Sequence, residues 1–289
     1  MKHPLNRIIS AIALVCICLS QPANAAILTK GKNVKVMPVG DSITLGKDGC
    51  LGGYRRPLYE WLIANGYAIT YVGKENRLDI RKDYPITCSD GSTPYHEGYG
   101  SFRTDMILNG GTAERRIAPP LKTTLETFKP DVVLLMLGTN DIIQAWQLET
   151  LEARLEQILE TIYAANPKTA VLVASIAPIK RPAWAEKEAR VLAYNAAIPG
   201  ILEKQKALGR QVAFVDVHET LSSGGLSGDG VHPGDLGYAK IAQAFYKELT
   251  GETPPVIDRK NPLLLPPPLP QSSATPAAAN ASPSPAAKQ

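Results

Sequence analysis

The sequence contains no hydrophobic run long enough to cross a membrane, and it has no strong net charge. Its longest apolar stretch, from Ile8 to Leu19, is shorter than the roughly 18 residues that a membrane-spanning helix needs. The formal net charge is only +4 over 289 residues, far from the basic field of a nucleic-acid-binding domain. We therefore expect neither stable membrane insertion nor nucleic-acid binding.

Residues 1–25 are typical of a signal peptide. Lys2 and Arg7 precede the apolar run, and small residues occupy the two cleavage positions, Ala23 and Ala25. Cleavage there starts the mature chain at Ala26 and removes two positive charges, which lowers the net charge from +4 to +2. An uncleaved amino-terminal anchor is the alternative interpretation. The pattern predicts a secreted or periplasmic protein.

Cysteine is scarce in this chain. Two of the four cysteines, Cys16 and Cys18, lie in the signal peptide, so Cys50 and Cys88 remain as one possible pair in an oxidising compartment. We predict a disulfide bond between them. The mature sequence has no cluster of Cys and His at metal-ligand spacing, so no metal ion or other cofactor is expected.

The carboxyl-terminal segment differs in composition from the rest. From Pro254 onward the chain is rich in Pro, Ala and Ser, a composition typical of disordered segments. We predict a disordered tail over residues 254–289. The remaining residues 26–253 are enough for one domain with a full hydrophobic core.

Between these ends, short apolar runs alternate with amphipathic stretches. The runs are rich in Val, Ile and Leu, as in strands covered on both faces. They lie at Val34–Val39, Ala68–Val72, Asp131–Leu137, Ala170–Ile176 and Val212–Val217. Apolar residues at helical spacing predict helices at Tyr54–Ala64, Leu121–Phe128, Gln147–Ala165, Glu186–Leu208 and Leu236–Leu249. Pro199 is expected to kink the fourth helix. The alternation predicts an α/β fold, a three-layer α/β/α sandwich with a five-stranded parallel sheet.

Three polar motifs follow predicted strands. In sheets of this kind, ligands bind at the carboxyl ends of the strands, and each motif lies at such an end or in the loop beyond it. The motifs are Gly40-Asp41-Ser42-Ile43-Thr44, Gly138-Thr139-Asn140-Asp141 and Asp229-Gly230-Val231-His232-Pro233. Because all three lie at the same edge of the predicted sheet, we expect their side chains to meet.

The residue types in these motifs indicate a serine hydrolase. A serine hydroxyl is a poor nucleophile at neutral pH, so Ser42 needs a base, and the imidazole of His232 is suited to take its proton. Asp229 lies three residues earlier and can orient the ring. The Asn140 side chain and the backbone amide of Ser42 can donate hydrogen bonds to an oxyanion.

The other polar residues near the motifs are interpreted as structural. His96 and His218 have no carboxylate at a comparable spacing, which leaves the histidine of the third motif as the base. Asp41 and Asp141 are expected to form hydrogen bonds that hold their loops.

Together with the following Gly237-Tyr238, the three motifs resemble the first, third and fifth blocks of the SGNH hydrolases, also called GDSL esterases. The resemblance runs from about Val34 to Leu249. It implies a flavodoxin-like three-layer fold and a catalytic serine with an Asp-x-x-His pair. It also implies an oxyanion hole built from the serine amide, a glycine amide and the asparagine side chain, and hydrolysis of esters and thioesters without a metal.

The second block departs from the usual pattern. The segment His96-Glu97-Gly98-Tyr99-Gly100-Ser101-Phe102-Arg103 resembles the His-Glu-Gly segment of the acetylxylan-esterase-like branch, carbohydrate esterase family 3. In that branch an aromatic residue follows the oxyanion glycine. Here Phe102 follows Ser101, so Ser101 occupies the position where glycine is usual, and Gly100 lies one position earlier. Either amide could complete the oxyanion hole. We predict Gly100, because a glycine backbone can approach a ligand closely.

The sequence is compatible with three functions. Export and the resemblance to the acetylxylan branch favour a serine esterase that forms an acyl-enzyme on Ser42 and removes short acyl groups, chiefly acetyl, from a carbohydrate. Its substrate would be a small-molecule or polysaccharide ester. The alternatives are a general esterase or lysophospholipase acting on lipid acyl esters, and a non-catalytic polysaccharide-binding domain. Trp146 and Trp184 either line a cleft or anchor the core.

Overall fold

The structure is a computed structural model that describes residues 26–47, 52–76, 95–114 and 116–258. The predicted signal peptide and the predicted disulfide between Cys50 and Cys88 lie outside the described residues. So does most of the predicted tail. Its first residues, 254–258, form no helix or strand but contact the domain: the side chain of Gln243 donates a hydrogen bond to the Pro255 carbonyl at 2.6 Å, and Ile257 packs against the core.

A mostly parallel sheet forms the centre of the molecule. Its strands run in the order β2-β1-β6-β7-β8, and a short strand, β3, pairs with the carboxyl end of β1. The strands are β1 (Asn33–Gly40), β2 (Ala68–Tyr71), β3 (Glu97–Gly98), β6 (Val132–Met136), β7 (Ala170–Ala174) and β8 (Val212–Val215). A separate antiparallel pair consists of β4 (Gly111–Ala113) and β5 (Arg116–Ala118). Every residue of β6 and β7 is buried, as expected for central strands covered on both faces.

Helices cover both faces of the sheet. They are α1 (Ser42–Leu45), α2 (Arg55–Ala64), α3 (Thr104–Asn109), α4 (Leu121–Phe128), α5 (Thr139–Ile143), α6 (Leu151–Ala165), α7 (Ala185–Ala207), α8 (Val217–Ser222) and α9 (Asp235–Thr250). One apolar core lies between the sheet and α2, α8 and α9. A second lies between the opposite face and α3, α4, α6 and α7. The three-layer α/β/α fold predicted from the sequence is thus confirmed. No helix within the described ranges has the length and apolar character needed to span a membrane.

The differences from the predicted elements have local causes. The predicted strand Val212–Val217 ends two residues early, because the Asp216 side chain accepts a hydrogen bond from the Glu219 amide and caps α8. The predicted helix Gln147–Ala165 begins with a 3-10 turn before α6. Pro199 lies inside α7, which continues on both sides of it.

Candidate active site

The turn from β1 into α1 places Ser42. Gly40 ends the strand, and the Asp41 side chain caps the helix by accepting a hydrogen bond from the Ile43 amide at 2.9 Å. Ser42 is therefore the first residue of α1, at the carboxyl edge of the sheet. Burial raises the pKa of Asp41 to about 6, against the lowering effect of the Ile43 amide. Asp41 thus holds its own loop, as the sequence predicted.

A tight turn before α9 places Asp229 and His232. One carboxylate oxygen of Asp229 accepts hydrogen bonds from the Val231 amide at 2.8 Å and the His232 amide at 2.9 Å. The other carboxylate oxygen lies 2.5 Å from Nδ1 of His232. Gly230 has a φ of 70°, and a methyl group on it would lie 2.6 Å from the Lys180 carbonyl oxygen. Glycine is therefore required at this position for the turn to close.

Ser42, His232 and Asp229 form a continuous hydrogen-bonded chain. Nε2 of His232 lies 2.8 Å from Oγ of Ser42, although the two residues are 190 positions apart in sequence. Burial alone would raise the pKa of Asp229, but the hydrogen bonds from the His232 side chain and from the two amides outweigh it, and the pKa lies below its ordinary value. The carboxylate therefore stays ionised beside the ring and favours Nδ1 as the protonated nitrogen.

Asn140 lies in the first turn of α5, the helix that follows β6. One hydrogen of its side-chain amide is donated to the Phe102 carbonyl at 3.0 Å. An amide nitrogen carries two hydrogens, so a second donor is available. Ser42, Asn140 and His232 are 7%, 8% and 9% exposed. All three sites are thus nearly, but not fully, closed to solvent.

Gly100 and Ser101 lie in the turn that ends at Phe102. A methyl group on Gly100 would lie 2.2 Å from a carboxylate oxygen of Glu114, so a side chain, rather than an open ligand space, occupies the position where a Cβ would be. Ser101 has a φ of 62°, in the left-handed region that favours glycine. The Ser101 hydroxyl donates a hydrogen bond of 2.5 Å to Glu114.

The buried carboxylate of Asp141 links α5, the helix that carries Asn140, to α3 and α6. The Asp141 carboxylate accepts hydrogen bonds from the hydroxyl of Thr104 at 2.6 Å and its backbone amide at 3.0 Å. Arg154, on α6, donates to the same carboxylate at 3.0 Å. Burial raises the pKa of Asp141, and the bonds from Thr104 and Arg154 oppose that effect. Asp141 thus joins α3, α5 and α6 and does more than hold its own loop.

The structure shows the surroundings of two other histidines, His96 and His218. No carboxylate lies near His218 in the sequence at the spacing of Asp229 and His232, but in the fold Nε2 of His218 lies 2.8 Å from Glu188 on α7. The two residues are 30 positions apart, so spacing along the chain could not reveal the pair. His96 is fully buried, and its Nδ1 accepts a hydrogen bond from the Gly98 amide at 2.9 Å.

Neither Trp146 nor Trp184 is fully buried in the core. Trp146 is 40% exposed, with the Arg103 guanidinium 4.3 Å from its ring centre. Trp184 is half-buried, with Arg181 at 4.3 Å and Lys187 at 4.5 Å from its ring centre. Within the described ranges, no group of three His, Cys, Asp or Glu residues is arranged to hold a metal ion.

The chain is similar in sequence to known proteins. The sequence model of the GDSL-like lipase/acylhydrolase family matches residues 39–240. A multidomain esterase of Ruminococcus flavefaciens is 27% identical over 261 residues, which are 85% of this chain. The chain spans only 32% of the length of that relative.

Solved structures of esterases have the same fold. A Clostridium thermocellum family 3 carbohydrate esterase is 31% identical, with a TM-score of 0.59, and the match covers 75% of this chain and 94% of that one. An acetyl esterase variant determined with an acetate ion is 27% identical, with a TM-score of 0.59 and coverage of 75% and 96%. The chain therefore belongs to the GDSL-like lipase/acylhydrolase family, whose sequence model matches residues 39–240.

Proposed function

We propose that this protein is an exported serine esterase that hydrolyses short acyl esters, chiefly acetyl esters, of carbohydrates through an acyl-enzyme on Ser42. The observation that carries the proposal is the continuous chain from Ser42 Oγ to His232 Nε2 at 2.8 Å and from His232 Nδ1 to Asp229 at 2.5 Å. A nucleophile, a base and an orienting carboxylate at these distances are what acyl transfer to serine needs.

In the proposed acylation step, Oγ of Ser42 attacks the ester carbonyl while its proton moves to Nε2 of His232. The Asp229 carboxylate stabilises the imidazolium that forms and keeps the ring in position. The tetrahedral intermediate then collapses: the bond to the sugar oxygen breaks, and Nε2 gives the proton to that oxygen, so that the sugar leaves with a free hydroxyl. In the second half of the reaction, His232 takes a proton from water as the water oxygen attacks the acyl carbon. The bond to Ser42 Oγ then breaks, the proton moves from Nε2 to Oγ, and the carboxylic acid is released.

Three donors are proposed for the oxyanion. The Asn140 side chain has one amide hydrogen that Phe102 does not use. The Ser42 amide is in the first turn of α1, where amides have no partner within the helix. The third donor is the Gly100 amide predicted from the sequence, or the amide of Ser101, whose φ of 62° suits a position where glycine is usual.

The names of similar proteins support a short acyl group on a sugar as the substrate. Solved structures similar to this chain include a family 3 carbohydrate esterase and an acetyl esterase variant determined with an acetate ion. The predicted signal peptide over residues 1–25 supports export.

An acyl-length series tests the proposed substrate. Aryl esters of acetate, butyrate and octanoate are compared by kcat/KM, alongside acetate release from acetylated polysaccharides. We expect kcat/KM to fall steeply beyond the acetyl or propionyl ester and acetate to be released from at least one polymer. A preference for octanoate would contradict the proposal in favour of a lipid esterase. Binding of the polymers without turnover would contradict it in favour of a binding domain.

A further inference from the structure

The segment after β7 brings two cations against one tryptophan at the edge of the site. Arg181 lies 4.3 Å and Lys187 4.5 Å from the ring centre of Trp184. Cations at such distances are attracted to the face of an indole ring. Since Trp184 itself packs against the core, the ring holds both cationic side chains in place.

The same two side chains contact both sides of the site. Nε of Arg181 donates a hydrogen bond to the Asp229 carbonyl at 2.5 Å, so the guanidinium lies beside the residue that orients the base. Nζ of Lys187 donates to the Ile143 carbonyl, at the end of the α5 helix that carries Asn140. The two cations therefore contact the turn that carries His232 on one side and the end of the helix that carries Asn140 on the other.

Neither charge is neutralised within the described part of the chain. The hydrogen-bond acceptors of Arg181 and Lys187 are backbone carbonyls. Glu188, the neighbour of Lys187, is directed elsewhere: one of its oxygens pairs with His218 at 2.8 Å, and the other accepts from the Ile179 amide at 2.5 Å. A cationic pair without a carboxylate partner can attract an anion from solution.

The second tryptophan shows the contrast. Arg103 also stacks on a ring, that of Trp146, but its guanidinium forms two parallel hydrogen bonds with the Asp105 carboxylate, at 3.0 Å and 3.1 Å. That charge is therefore satisfied internally. Of these two tryptophans, Trp184 is thus the one whose stacked cations have no carboxylate partner in the described part of the chain.

We infer that Arg181 and Lys187 form a binding site for the carboxylate of a uronic acid, so that the substrate is an acetylated acidic carbohydrate. This inference rests on the proposed esterase function and adds the charge of the substrate to it. A guanidinium can hold a carboxylate through two parallel hydrogen bonds, and the adjacent ammonium adds a second positive charge. The acetylated sugar then lies over Ser42, with its acidic neighbour or substituent against the cations.

The test compares two oligosaccharides with the same acetylation, one carrying a free uronic acid and the other the corresponding neutral carboxamide. For the wild-type protein we expect kcat/KM to be about fivefold higher on the acid. The preference should largely disappear at about 1 M salt, where the screening length falls to about 3 Å. The ratio between the two substrates should fall toward one in Lys187→Gln, and further in Arg181→Gln with Lys187→Gln. Lys168→Gln removes one exposed charge at the opposite edge of the sheet and should keep the ratio of the wild type.

The outcomes separate this inference from the proposed function. Equal rates on the acid and the carboxamide, with acetate released from both, would overturn the anion site and leave the esterase proposal standing. A preference that survives both substitutions would also overturn it. Failure to release acetate from either oligosaccharide or from an aryl acetate would overturn the esterase proposal, and the anion site with it.

Discussion

At the scale of single residues, each proposed catalytic group depends on local hydrogen bonds that its own motif supplies. Asp229 accepts from two backbone amides within three residues and keeps its other oxygen for His232. Motif spacing therefore carries most of the information about this pair. The sequence could predict it because the turn is closed by neighbours in the chain.

Glu97 is a buried carboxyl group that accepts hydrogen bonds from one residue nearby in the sequence and from one distant residue. It is 3% exposed, and it accepts hydrogen bonds from the Tyr99 hydroxyl at 2.8 Å and from the Lys74 amide. Burial raises its pKa to about 7 from an ordinary value of 4.5, although these two donors oppose the shift. The folded protein therefore binds a proton here that the unfolded chain has lost.

This shift predicts a pH-dependent stability that Glu97→Gln removes. Because the folded-state pKa is the higher one, the free energy of unfolding should fall as pH rises from about 4.5 through about 7. The contribution is at most roughly 3 kcal/mol. Glutamine resembles the protonated acid in having no charge. The stability of Glu97→Gln relative to wild type should therefore increase as the pH rises from about 5 to about 8. Urea unfolding at several pH values measures it, and a difference that does not change with pH would refute the assignment.

At the scale of elements, the buried pair of Asp141 and Arg154 ties α5 to α6, and Thr104 ties both to α3. The side chains of Asp141 and Arg154 are 0% and 8% exposed. The sequence identified Asp141 but not its partners. Arg154 is 13 residues and Thr104 is 37 residues away from it, and contacts over such separations leave no motif in the sequence. Arg154 lies on the buried side of an amphipathic helix, where a charged residue is unusual. A charged residue at a buried helix position was the one feature of the sequence that could have indicated this ion pair.

Arg154→Met should destabilise the protein by about 3 to 5 kcal/mol, because it leaves the Asp141 carboxylate buried without a countercharge. Adding Asp141→Asn should recover part of the loss, since the buried charge is then removed. Chemical denaturation of the single and double variants measures both effects. Lys122→Met breaks an exposed pair with Glu126 on α4 and serves as the control, for which little change is expected. A loss in Arg154→Met no larger than that of the control would contradict this account.

At the scale of the whole molecule, apolar periodicity was enough to predict the layers of the fold. Strands β6 and β7 are continuous runs of buried residues, and a run of this kind has few alternatives to a central parallel strand. The short elements α1, α3, α5 and β3 were not predicted. Each has two to six residues, too few for a periodic pattern, and tertiary contacts hold them in place.

The predicted disulfide concerns the exported chain as a whole. Cleavage after Ala25 would leave Cys50 and Cys88 as its cysteines, and a bond between them should stabilise the folded protein by roughly 2 to 4 kcal/mol. Mass spectrometry of protein isolated from the exported fraction, alkylated without reduction, should find neither thiol modified and a peptide beginning at Ala26. Two alkylated thiols would show that the bond is absent.

The most direct test of the central claim is the turnover of an aryl acetate by Ser42→Ala beside the wild-type protein, with folding of both checked by circular dichroism. The account predicts a loss in kcat of at least about a thousandfold. A small residual activity should remain, because the oxyanion donors are still present. Retention of most of the wild-type rate by folded Ser42→Ala would contradict it, because the hydroxyl that lies 2.8 Å from His232 would then not be the nucleophile.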